Sequence, residues 1–172
     1  MRIVIALRAG VSFLVGLFIT FNQSHSASVG LLALAIFALS FAVVNGVGSF
    51  VWGKSLTAVE NMPLTVAALI IGMLALLVPE TNPQAQALAF TYLVIGWGLI
   101  SGAFELYLAR RSGFASPSGK DSLINSGFGL LLGFLFLIAQ PDIVSAVGFF
   151  GAYLVLSGVH QAIAAATPTK KP

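Results

Sequence analysis

Glu105 is the one acidic side chain inside a long apolar stretch of this 172-residue sequence. A charge at the centre of a bilayer costs ~2.5–3.5 kcal/mol on insertion scales, so such residues usually have a partner or a task. Glu105 precedes Arg110 by five positions, which puts it roughly 7 Å from that basic end at 1.5 Å per residue. Arg8 sits at the matching depth of another apolar stretch, so an Arg8–Glu105 ion pair is one reading. The other is a carboxyl that exchanges protons with one side of a membrane. His160 and Gln161 lie near the same depth. Imidazole titrates close to neutrality, so His160 is either a pH-responsive group or a hydrogen-bonding one. Asn45, Ser49, Ser101 and Ser157 add amides and hydroxyls.

Little else could do chemistry. The absence of cysteine excludes disulfides, thiolate metal sites and a cysteine nucleophile. Two histidines and five acids give no expected metal site. There is no Walker loop and no G-x-S-x-G, and Gly46-Val47-Gly48 lacks the strand context of a dinucleotide site. The sequence therefore predicts neither an enzyme nor a cofactor.

The elements that position these residues follow from composition. The chain is 58% hydrophobic and 8% charged, with a mean hydropathy of +1.02. A soluble domain carries roughly 25% charged residues. Most of this chain must therefore be solvated by lipid. A helix needs about 20 apolar residues to cross the hydrocarbon core, and six stretches qualify: 3–21, 28–51, 63–79, 85–108, 122–140 and 142–166. Runs such as Leu69–Val78 are apolar on every face, which argues for helices and against a barrel. Polar or proline-containing breaks separate the spans, and Pro141 suits the first turn of the sixth. The whole chain reads as one membrane domain.

Arg2, Arg8, Lys54, Arg110, Arg111, Lys120, Lys170 and Lys171 all fall on one side of a six-span arrangement. The positive-inside rule makes that side, with both termini, cytoplasmic. His25, Glu80 and Asp142 fall outside, and Trp52 and Tyr107 suit interfacial anchoring. Residues 1–26 also resemble a secretory signal with a Ser24-His25-Ser26 site, but an internal repeat needs a retained first span. Eight dispersed basic residues form no nucleic-acid patch.

Gly46, Gly102 and Gly158 recur at intervals of 56 residues. Phe41, Trp97 and Tyr153 keep that interval, as do Asn45, Ser101 and Ser157, then Ser49, Glu105 and Gln161. Gly16, Gly72 and Gly133 mark the odd spans at steps of 56 and 61. The chain thus reads as three tandem helical hairpins, at 1–56, 57–112 and 113–172, related by an axis along the membrane normal. Small residues four apart (Ser12 and Gly16, Ala68 and Gly72, Gly129 and Gly133, Gly98 and Gly102) permit close packing in lipid. Each even span carries an aromatic and two polar residues on one face, at i, i+4 and i+8. These stripes either bond across helix interfaces or line a polar vestibule open to the cytoplasm.

The passages Leu69–Pro79 and Gly96–Arg110, with Gly133, Pro141 and Gly158, resemble the HdeD family of acid-resistance membrane proteins. Within the second passage Trp97, Gly102, Glu105 and Arg110 carry the likeness. The first hairpin departs from the pattern, because no proline ends span one and Ser49 replaces the acid. The resemblance implies a bacterial inner-membrane protein linked to acid stress, with no active site to carry over. The expected function is non-enzymatic acid or envelope stress tolerance. Two alternatives stand beside it: a proton or small-solute channel using the stripes around Glu105, and a scaffold that binds a second copy or another membrane protein.

Overall fold

A computed structural model describes residues 2–53 and 55–167. Lys54, Lys170 and Lys171, three of the basic residues that orient the chain, lie outside the described residues. Six helices follow in order: α1 (Arg2–Phe21), α2 (Ala27–Trp52), α3 (Ser55–Leu77), α4 (Pro83–Ser112), α5 (Pro117–Ala139) and α6 (Ile143–Ala166). All six are long and apolar enough to cross a membrane. Their outward faces carry large apolar side chains such as Leu14, Phe50, Leu76 and Ile138, as lipid contact requires.

The helix starts are capped by short polar side chains. Ser26, Asn82 and Ser116 accept from the backbone N–H three residues on, at Val29, Ala85 and Gly119. Pro83 and Pro117 occupy the first turns of α4 and α5, where a missing N–H costs nothing. Asp142 caps α6 by accepting from Val144 N and Ser145 N. Pro141 therefore precedes the cap instead of opening the helix, and Gln140 before it takes a left-handed conformation at φ 43°. Gly113 ends α4 at φ +82°, where a side chain would be strained.

Three helices run well past the apolar stretches. α3 begins at Ser55 instead of 63, with Pro63 inside it; α4 continues to Ser112, and α5 begins at Pro117 instead of 122. Hydropathy marks where the chain meets lipid, whereas backbone hydrogen bonding continues into polar turns beyond it.

The even helices α2, α4 and α6 touch one another, and each odd helix packs on two of them. The most extensive pairings are α2 with α3, α4 with α5, and α6 with α1. Glycines allow these approaches. A Cβ on Gly102 would lie 2.7 Å from the Leu130 nitrogen, and one on Gly158 would lie 2.8 Å from the Phe13 nitrogen. Gly16 faces the Val155 nitrogen at 2.8 Å, Gly133 faces Leu99, and Gly72 faces Leu39. Gly46 is looser, with only the Thr65 methyl at 3.0 Å. The tightest seams thus join one proposed hairpin to the next, and α1 against α6 closes the ring.

Candidate functional site: a one-sided polar vestibule

The stripes turn inward. Asn45 and Ser49 are fully buried, and Ser101, Glu105, Ser157 and Gln161 are nearly so. This follows from placing α2, α4 and α6 at the centre, since i, i+4 and i+8 share a helix face. The odd helices add Arg8 and Ser12 from α1, Asn61, Leu64 and Thr65 from α3, and Asn125 from α5.

Arg8 Nη2 donates to Glu105 Oε1 at 3.1 Å, with side-chain exposures of 12% and 8%. The guanidinium carbon also lies 4.6 Å from the centroid of the Phe41 ring. A desolvated cation over an aromatic face gains about 2 kcal/mol. Three helices thus converge on one charge.

The α2–α3 seam bonds most of its polar groups internally, leaving Asn45 Oδ1 without a protein partner. Asn45 Nδ2 donates to Thr65 Oγ1 at 2.9 Å and to the Asn61 carbonyl at 3.3 Å. Asn61 Nδ2 donates to Ser49 Oγ at 3.1 Å. For Asn45 and Ser49 the packing reading therefore describes what the side chains do. The α5–α6 side is less complete. Gln161 Nε2 donates to Ser157 Oγ at 2.9 Å, while Gln161 Oε1, Asn125 Oδ1 and Arg8 Nε are buried without a protein hydrogen-bond partner.

His160 is not part of this cluster. Its Nε2 lies 3.2 Å from the Asp121 carbonyl, and its ring meets Phe128 edge-on, on the α5–α6 seam. Hydrogen bonding explains it. Among the described residues, no group of three or more His, Asp or Glu gathers in metal-binding geometry.

An aromatic layer closes the cluster at mid-bundle. Phe37 and Phe41 meet Trp97 edge-on at 5.2 and 5.1 Å, and Phe150 meets Phe37 and Phe90. Trp97 Nε1 donates to the Tyr153 hydroxyl at 3.1 Å, and Ser101 Oγ donates to the Trp97 carbonyl at 2.6 Å. Beyond this layer Phe90, Phe136, Val94 and Val147 fill the interior.

On the other side a cavity of about 150 Å³ leads from exposed Ser118 past Asp121 to Arg8, Glu105, Asn125 and Gln161. Elsewhere, Arg2 of α1 donates to the Thr167 carbonyl after α6 at 2.7 Å. A smaller cavity of about 20 Å³ lies between Arg8, Glu105 and the aromatic layer. At the rim, Arg111 Nη2 and Glu60 Oε1 form an ion pair at 2.7 Å. Sequence reasoning missed Asn61 and this pair, because they lie outside the apolar stretches, and Asn125, which lies inside the fifth stretch but off the even-span stripes.

No family model matches the chain, and neither a curated protein nor a solved structure is detectably similar to it.

Proposed function

We propose that this chain is a multi-pass protein of a bacterial inner membrane, built from three tandem hairpins with both termini cytoplasmic. On this reading it is of the HdeD type and contributes to tolerance of acid or envelope stress without enzymatic chemistry. Matching contacts support the repeat: Gly102 against Leu130 and Gly158 against Phe13 are the same contact moved by one unit. Arg2, Arg110 and Arg111 lie at the vestibule end of the bundle, which supports the orientation.

One observation carries the functional reading. The buried Arg8–Glu105 pair faces a polar cavity, and the aromatic layer stands between it and the opposite side. With the mouth cytoplasmic, acidification outside meets only His25, Glu80 and Asp142. Asp142, which caps α6, is held below the usual carboxyl range by the Ser145 hydroxyl and backbone N–H. Such a fold keeps its charges in place when the exterior turns acidic. The test is survival of a deletion strain at low external pH, with complementation by the wild-type gene. A survival defect restored by the gene is expected; unimpaired survival would overturn the reading.

The vestibule also favours a second reading, a proton or small-solute pathway. The aromatic layer opposes it, because buried Phe90, Val94, Phe136 and Val147 fill the interior beyond Trp97. Liposomes with an internal pH dye distinguish the two. Flux no greater than in protein-free vesicles is expected, and flux suppressed by Glu105→Gln would promote the pathway.

A further inference from the structure

Three unpartnered buried atoms border the cavity of about 20 Å³ in front of the aromatic layer. Arg8 Nε is a donor. Asn125 Oδ1 and Gln161 Oε1 are acceptors. An isolated polar atom in an apolar interior is costly, and three around one cavity multiply that cost. A buried water makes about three hydrogen bonds and needs at least about 10–15 Å³ of such space. The cavity has room for one water and not for a larger solute.

We propose that this cavity binds a single water molecule, which donates to Asn125 Oδ1 and Gln161 Oε1 and accepts from Arg8 Nε–H. The arrangement completes the α5–α6 side of the centre, where the protein leaves these two amide oxygens without a bond. Equivalent positions explain why the cavity's open groups gather on that side. Arg8, Leu64 and Asn125 share the step pattern of the odd spans, as Ser49, Glu105 and Gln161 share that of the even spans. Arg8 answers Glu105 with charge. Leu64 asks for nothing, and Ser49 is satisfied by Asn61. Asn125 and Gln161 retain open acceptors beside the cavity, whereas the open oxygen of Asn45 belongs to a residue that does not line it. Arg8, Glu105, Asn125 and Gln161 also line the larger cavity, so the water is the inner end of a wet path from the vestibule mouth to the ion pair. This inference stands whether or not the acid-tolerance reading does.

Radiolytic hydroxyl labelling read by mass spectrometry tests it on the full-length protein in detergent. Bound water generates radicals where it sits, so a solvent-shielded ring beside it becomes oxidised. Phe41 lines the cavity, whereas Phe90 and Phe136 are equally buried beyond the aromatic layer. Phe41 is expected to be labelled several-fold more than either. Labelling of Phe41 no greater than theirs would overturn the proposal. Asn125→Leu, which copies Leu64, is expected to bring Phe41 down to the level of Phe90. Strong Phe41 labelling that survives both Asn125→Leu and Gln161→Leu would overturn the assignment of the water to these amides. Should either variant fail to fold, the wild-type comparison decides alone.

Discussion

Arg8 and Glu105 meet at 3.1 Å although the helices that carry them, α1 and α4, have no Cα atoms within 8 Å of each other. Two long side chains span the gap, over the face of Phe41. The pair is therefore a strut across the interior and not a by-product of helix contact.

Removing one member of a buried pair leaves an uncompensated charge and typically costs ~3–5 kcal/mol. Glu105→Ala is expected to lower stability in detergent by that order. The double variant Arg8→Leu with Glu105→Ser, which copies Leu64 and Ser49, should recover much of the loss, because apolar replacement of a buried pair is often neutral. Unfolding curves of both singles and the double measure this, and simple additivity would refute the coupling.

The glycine seams should behave unequally. At Gly102 and Gly158 an added methyl meets backbone nitrogen below 3.0 Å, so alanine there should cost ~1–3 kcal/mol through overpacking. Gly96 and Gly148 have nothing within 4 Å, and alanine there should be neutral or stabilising by up to ~1 kcal/mol from its helix preference. Thermal unfolding of the four variants separates the two classes.

Asp142 sets a pH dependence of known sign. Its carboxyl is held below its ordinary value of 3.8, first by the Ser145 hydroxyl and then by the Ser145 backbone N–H. A lowered carboxyl contributes stability that is present above its ordinary value and lost as pH falls through the lowered one. Wild type should therefore exceed Asp142→Asn in stability at pH 5, and the gap should close below pH 3.8. Melting curves across that range check it; a gap that widens on acidification would contradict the cap geometry.

His160 and Glu105 should part company in cells. His160 bonds to the Asp121 carbonyl on the α5–α6 seam, away from the ion pair. His160→Gln is expected to complement an acid-sensitive deletion strain as well as wild type, whereas Glu105→Ala should not. Equal complementation by both would remove Glu105 from the function.

The helices and their inward stripes were legible in the sequence because lipid imposes a single requirement, and hydropathy reads it directly. The Arg8–Glu105 pair was legible as matching depth. Depth does not fix helix order, so the α1–α6 seam and the rim pair Glu60–Arg111 were not. Asn61 escaped because α3 begins in a polar turn, where an apolar window sees only linker, and Asn125 because it sits on an odd span, away from the even-span stripes. Pro141 misled for a related reason: a proline fits before a cap as well as after one, and the side chain of Asp142 decided between them.

Closing the ring with α1 against α6 has a consequence for synthesis. α1 leaves the ribosome before α6 and waits for it before their glycine seam can form. Arg8 waits too, for a carboxylate 97 positions later in the chain. At about 5–20 residues per second, that interval is on the order of 5–20 s. Until then the guanidinium must be sheltered by lipid headgroups or by the insertion machinery.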